Sequence, residues 1–307
     1  MWQIKQKNSI IFIVIQCCLM FPVLVKAQRH SYYAKKYELG ILPGVNWFFG
    51  DVGGRPGMGK PFVKDWVVST VRPNVNLFAA YNINSQIAVR LSIAGGSIKA
   101  TDSNLPPLNS SGRYFRNISV RTDLLESNLG IQYTFRQSAY YDDLTSRFAP
   151  YVFVAAGFVY YEPKAIVNSE RIRLRPLRTE GQGMAAYPDR KTYSPVALVI
   201  PASLGFVYKL NADLFLRAEI TARSVFTDYL DDVSTRFIDP VHFSTYLSGS
   251  NLNHALMLYD RSGEINNGVN IFNPGNKRGS PENNDSWVSF SIGITYQISR
   301  TNKYFRY

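Results

Sequence analysis

The sequence predicts an all-β fold, an eight-stranded antiparallel up-and-down transmembrane β-barrel of the outer-membrane type. Three observations carry this reading. First, Leu214, Leu216, Ala218, Ile220 and Ala222 share one parity, while Phe215, Arg217, Glu219, Thr221 and Arg223 share the other. A period of two puts these sets on opposite faces of a sheet. Second, comparable alternation recurs in eight segments. Third, long connections follow strands one, three, five and seven, and shorter ones follow the rest, the pattern of outer-membrane barrels. In such a barrel the apolar set faces lipid and the charged set is enclosed.

The elements follow in order. Strand one, 37–49, sets Leu39, Ile41, Val45, Trp47 and Phe49 against Glu38, Gly40, Gly44 and Asn46. Strand two, 71–81, alternates Val71, Val75, Leu77 and Tyr81 with Arg72, Asn74 and Asn76. A tight Asn-rich turn at 82–85 leads into strand three, 86–98, with Ile87, Val89, Leu91 and Ile93 outward and Arg90 and Ser92 inward. Strand four, 121–135, opposes Leu125, Leu129, Ile131, Tyr133 and Phe135 to Glu126, Asn128, Gln132 and Thr134. Strand five, 150–161, is apolar on both parities, so its facing is open. Strand six, 196–210, turns at Asn211 into strand seven, the run quoted above. Strand eight, 287–298, sets Val288, Phe290, Ile292, Ile294, Tyr296 and Ile298 against Ser289, Ser291, Gly293, Thr295 and Gln297. Long loops are expected at about 50–70, 99–120, 162–195 and 224–286. An even strand number puts both ends of the barrel, 37 and 298, on the periplasmic side, so 28–36 and 299–307 read as short periplasmic segments.

The start of the chain reads as a secretory signal peptide over 1–27: Lys5 and Lys7, an apolar stretch from Ile10 to Val25, and Val25-Lys26-Ala27 before a cleavage point. Cys17 and Cys18 both lie within it, and Gln16 is too large for a lipobox, so the exported chain has no disulfide. Closure of a barrel supplies the stability instead, because no sheet edge remains. The net charge is +12, and loss of Lys5, Lys7 and Lys26 leaves +9. Export makes nucleic acid an unsuitable partner. Anionic lipopolysaccharide or an acidic protein face fits the charge better, and the 14% aromatic content fits a barrel embedded in outer-membrane lipid.

Eight strands leave a lumen that side chains fill. Glu38, Arg72, Arg90, Glu126, Arg217, Glu219 and Arg223 are therefore expected to form a paired internal network. Arg171, Arg173, Arg175 and Arg178, with Arg190 and Lys191 beyond them, concentrate charge in the third loop. Two readings stand for them: bidentate contacts to lipopolysaccharide phosphate, or loop solubility with pairing to Glu170, Glu180 and Asp189. Asp228, Asp231 and Asp232 offer oxygen ligands, but their spacing matches no calcium loop, so no metal or cofactor is expected. Gly50-Asp51-Val52-Gly53-Gly54 lacks the strand–loop–helix setting of a phosphate loop and reads as a turn. None of the histidines, His30, His242 and His254, falls on a strand beside an outward serine. No catalytic residues are assigned and no enzyme is expected. On the periplasmic side, Tyr140, Tyr141, Asp142 and Asp143, and the tail residues Arg300, Lys303, Tyr304, Phe305 and Arg306, are candidates for partner contact, being rich in hot-spot residue types.

Several ordered segments carry a resemblance. They are Tyr37-Glu38-Leu39-Gly40, Phe49-Gly50-Asp51-Val52-Gly53, Pro163-Lys164-Ala165, and the run from Leu174 through Arg178 to Gly183. Thr227 to Ser234, Lys277-Arg278-Gly279 and Asn283-Asn284-Asp285-Ser286-Trp287 complete the set. Together they resemble the PorG-type outer-membrane barrel of the type IX secretion system of Bacteroidetes, over nearly all of the exported chain. The fourth loop and the Gly/Pro-rich 54–68 segment depart from that pattern. The resemblance implies a non-enzymatic structural component of a protein-transport apparatus in the outer membrane, contacting a periplasmic ring of PorK and PorN. A narrow pore or a surface-binding, adhesin-like barrel is the alternative.

Overall fold

Alternation forces each strand to choose which face meets lipid, and antiparallel pairing must then satisfy every backbone group. A computed structural model describes residues 37–53, 68–84, 86–105, 112–135, 147–167, 169–211 and 213–298. The signal peptide, the 28–36 segment, the 54–67 stretch, Tyr140 to Asp143 and the tail from Arg300 lie outside the described residues.

The strands are β1 (Tyr37–Phe49), β2 (Arg72–Asn82), β3 (Ile87–Thr101), β4 (Ser119–Thr134), β5 (Phe148–Val167), β6 (Glu170–Arg173), β7 (Val196–Lys209), β8 (Leu214–Val225) and β9 (Ser286–Ile298). Eight of them close a barrel in the order β4-β3-β2-β1-β9-β8-β7-β5, with β5 returning to pair β4, and every pairing is antiparallel. The short β6 stands outside this ring and folds back on β5 through Val167↔Glu170 and Lys164↔Arg173. The eight barrel strands run from 11 residues in β2 to 20 in β5. About 9–11 residues cross a bilayer, so β3, β4 and β5 project beyond it at the long-loop end. Most strand ends fall within two residues of the expected bounds; the larger differences are that β5 continues to Val167 and β3 to Thr101. Their outer halves pair with each other's neighbours (Thr101↔Ser119, Arg121↔Lys164), which keeps these segments extended above the membrane.

The exterior of the span is predominantly apolar. Leu39, Ile41, Leu77, Leu91, Ile93, Leu129, Ile131, Val154, Phe158, Leu204, Ile220, Ile292 and Ile294 are all exposed. A belt of this kind is incompatible with water and matches a lipid-facing wall. Near the short-turn end aromatic rings gather: Tyr37 with Tyr81, Tyr133 with Phe135, and Phe148 stacked on Phe206 at 5.0 Å. This is an interfacial girdle. The closed barrel and its belt place the chain in the outer membrane.

For β5 the inward set is Ala149, Tyr151, Phe153, Ala155, Val159 and Tyr161, all buried. Glycines make room for two of the inward rings. A Cβ at Gly205 would lie 2.3 Å from Tyr151, and one at Gly40 would lie 2.2 Å from Phe78, so both rings lie against bare backbone. Among the described residues, the loops at the other end include a 3₁₀ turn, Asp102–Asn104, and three helices: α1 (Arg113–Arg116), α2 (Phe243–Tyr246) and α3 (Gly249–Leu258). These segments share a hydrophobic core of Val52, Ile118, Ile172, Leu174, Leu177, Met184, Phe237, Ile238, Phe243 and Leu258, among others. The loops are therefore a folded extracellular cap rather than separate excursions.

Candidate functional site: the lumen plug and the extracellular cap

Inward parity brings three arginines and three glutamates into the lumen. From the periplasmic end outward, Arg217 pairs with Glu38, Arg90 with Glu219 at 2.6 Å, and Arg223 with Glu126 at 2.5 Å. Further donors and acceptors hold the set. Arg217 donates to Gln132 Oε1 at 2.8 Å, Tyr151 donates to Glu219 at 2.7 Å, and Arg223 donates to Ser289 Oγ at 2.8 Å. Aromatic faces cover the guanidiniums. Arg90 lies 4.0 Å from the Phe78 ring and 4.6 Å from Phe153; Arg217 lies 4.5 Å from Tyr151; Arg223 lies 5.2 Å from Trp287. Charge balance, hydrogen bonds and cation–π contact together meet the cost of burying these ions. Arg72 does not join this set. It stands at the first residue of β2, at the barrel mouth, and donates to the carbonyl of Val71 at 2.6 Å.

The cap is stitched by a second polar network. Arg116 binds Asp102 with both arms at 2.8 Å and donates to the carbonyls of Asp51 (2.8 Å) and Arg278. Arg278 in turn binds Glu180 at 2.9 Å and the Asp232 carbonyl at 2.7 Å. Glu180 accepts from the backbone N–H groups of Ser234 (3.0 Å) and Thr235 (2.9 Å). Asp231 accepts from Val52 N–H at 3.0 Å, and Asp285 from Leu230 N–H at 2.8 Å. All four long loops are joined by these contacts. The segments that carry the sequence resemblance meet here: Asp51, Glu180, Asp231, Asp232, Arg278 and Asp285 all belong to them.

The acids of this cap are crowded. Burial, first, and the neighbouring Asp51 push Asp228 up to about 9. The same two causes raise Asp231 to about 8, and burial raises Asp232 to about 6 against the pull of Arg278. Asp285 is also raised, by burial and then by Asp231 and Asp228. As for a metal, no group of three or more His, Cys, Asp or Glu among the described residues is arranged to hold one.

The third-loop arginines separate. Arg171 and Arg173 lie on β6, and Arg173 pairs with Glu162 at 3.1 Å. Arg175 opens a 3₁₀ turn, Arg175–Leu177, and Arg178 follows it in the left-handed region at φ 52°. Glu180, a proposed partner for this group, binds Arg278 of the fourth loop instead. Arg175 and Arg178 border a cleft of about 420 Å³ with Pro176, Gln182, Thr192 and Tyr193. Sequence reasoning missed Phe78, Tyr151, Phe153 and Trp287 as lumen residues, and Asp102, Arg116 and Arg278 as cap anchors. The sequence signal that was there for Arg278 is its place inside one of the segments that carry the resemblance.

Fold and site define an outer-membrane β-barrel with a filled lumen and a folded extracellular cap. The chain belongs to the DUF6089 family, described as a domain of unknown function, which matches residues 15–253. No curated protein matches the sequence. Among solved structures it is similar to Neisserial surface protein A (TM-score 0.37, 10% identity, 87% of this chain and 100% of that one). It is also similar to OprG of Pseudomonas aeruginosa (0.36, 13%, 86% and 96%) and to Ail of Yersinia pestis, solved with the heparin analogue sucrose octasulfate (0.34, 11%, 86% and 99%). These likenesses concern the fold alone.

Proposed function

We propose that this protein is a non-enzymatic structural barrel of the type IX protein secretion apparatus, anchored in the outer membrane and contacting a periplasmic ring of PorK and PorN type. The observation that carries a structural rather than a transport role is the lumen. Three matched Arg–Glu pairs and their aromatic covers fill it, so the barrel acts as an anchor rather than a conduit. Support for the secretion role itself comes from the ordered motifs of the sequence. In this reading the ring meets the short-turn side, where Tyr140 to Asp143 and Arg300 to Arg306 are the contact candidates.

The test is co-purification of the tagged full chain from gently solubilised outer membranes. Recovery of the periplasmic ring proteins, and their loss on deleting residues 300–307 or substituting Tyr140 and Tyr141, is the expected result. A lone barrel from a preparation in which the ring stays intact overturns the assignment. A second reading, a surface-binding barrel, is favoured by the folded cap and by the cleft at Arg175 and Arg178.

A further inference from the structure

We propose that the cleft in the third loop is a binding site for a phosphorylated saccharide. It stands at the extracellular end, opposite the proposed ring contact, so either assignment can hold without the other.

The argument begins with the polar lining. Arg175 and Arg178 border the cleft, and neither forms a salt bridge among the described residues. The bonds that Arg178 does make are weak ones: Nη1 to the Gly183 carbonyl at 3.4 Å, and a guanidinium 5.7 Å from the Tyr246 ring. Gln182 is only 2% exposed, yet its Nε2 has no hydrogen-bond partner. Its Oε1 accepts from the Glu180 N–H at 3.1 Å, which identifies the other terminal atom as the amide NH₂. A buried donor without an acceptor is costly, and an acceptor placed in the cleft removes that cost. Tyr193 is already engaged, donating to Asp232 at 2.6 Å. The groups left to a ligand are therefore two guanidiniums, an amide NH₂ and the Thr192 hydroxyl. That set suits a group with several acceptor oxygens and negative charge, and guanidinium pairs with phosphate through two parallel bonds.

The nearby acids do not cancel this field. Glu180 is matched by Arg278, and both oxygens of Asp232 are taken by Thr179 and Tyr193 at 2.6 Å. The local backbone is built to hold Gln182 in place. Gly181 at φ +76° and Gly183 at φ +71° flank it in conformations that favour glycine. Pro176 and Tyr193 supply the apolar part of the lining, and Tyr193 is held between Tyr229, stacked at 4.5 Å, and Tyr161 at 6.1 Å. A rigid apolar wall beside a polar cradle suits the C–H face of a sugar ring carrying the phosphate. The volume, about 420 Å³, admits a ligand of that size.

The test is calorimetric titration of the full chain in detergent with glucosamine 1-phosphate, and with uncharged glucosamine derivatives as comparison. Wild type is expected to bind the phosphorylated sugar and not the uncharged one. Arg175→Gln and Gln182→Glu should each weaken binding at least tenfold, with folding checked by heat-dependent gel mobility. Arg171→Gln and Arg173→Gln, outside the cleft, should bind as wild type does. Absence of binding by wild type overturns the proposal. So does equal weakening by the Arg171 and Arg173 variants, which would make the effect diffuse charge. Lipopolysaccharide co-purified with each variant separates the two sources of the sugar. Loss of it in Arg175→Gln assigns the site to the lipid-borne phosphosugar; unchanged recovery beside lost titration assigns it to a soluble one.

Discussion

Arg90, Arg217 and Arg223 each set a guanidinium against one glutamate and at least one aromatic ring. Such a pair is weak as a net stabiliser, because desolvation offsets most of the attraction, but breaking one side strands the other charge. Of the three lumen glutamates Glu219 has the most partners, taking Arg90, Tyr151 and Thr221 together. Substituting Glu219→Ala should therefore cost about 3–5 kcal/mol in urea unfolding of the detergent-folded barrel. The double variant Arg90→Met/Glu219→Leu should recover most of that loss, since neither charge then remains. Additive losses would show that the two side chains do not act as a pair. Much at this scale could be read from parity, since Glu38, Arg90, Glu126, Arg217, Glu219 and Arg223 each alternate with lipid-facing neighbours. Arg72 has the same parity but sits where β2 begins, and parity does not reveal where the lumen ends. The aromatic covers were hidden for a related reason: Phe78, Tyr151 and Phe153 are as apolar as the residues that face lipid.

Individual elements differ in how far their sequence determines them. In β8 one strand suffices to assign both faces, because charge and lipid cannot share a side. In β5 the facing is set by its partners: the pairs Gln132↔Phe153 and Gly205↔Tyr151 place its aromatics opposite inward polar or glycine positions. The cap was least legible. Its core draws Val52, Ile118, Leu177, Phe237 and Leu258 from separate loops, and no period links them. What the sequence did carry was the segments of the family resemblance, whose acids and Arg278 meet there. That meeting makes the cap sensitive to pH. In the opened cap the aspartates titrate near 3.8, whereas in the folded cap Asp232, Asp231 and Asp228 titrate at about 6, 8 and 9. The folded cap thus binds more protons across that interval, so its stability is fully present below 3.8 and is lost as pH rises through the folded values. Asp51, Asp285 and Glu180 add to the crowding, and Arg116 and Arg278 oppose it. Amide hydrogen exchange, corrected for intrinsic rates, should show residues 226–285 opening more at about pH 9.5 than at about pH 5, with the barrel strands unchanged. Asp228→Asn should flatten the difference; a cap equally protected at both values would contradict the sign.

For the whole molecule the question is whether anything passes through it. An eight-stranded ring encloses a lumen only wide enough to be filled by side chains or to hold one small ligand. Here the inward positions hold some of the bulkiest buried groups in the chain, including Trp287, Arg90, Arg217, Tyr151 and Phe215. Above them the loops share a core of their own, and Thr122 Oγ1 donates to the Leu230 carbonyl, tying cap to wall. Ions crossing this path would have to displace matched pairs and aromatic covers together. The purified full chain in planar bilayers should therefore show no steady conductance, even at high salt. Clearing the obstruction with Tyr151→Ala and Arg217→Ala together, in protein whose heat-dependent gel mobility shows a closed barrel, should produce small, irregular currents. Glu38 and Glu219 would then lack the Arg217 charge, so those currents should favour cations. A wild-type protein that conducts steadily would turn the same six charges from a plug into the lining of a pore, and the structural role proposed for the barrel would fall with it.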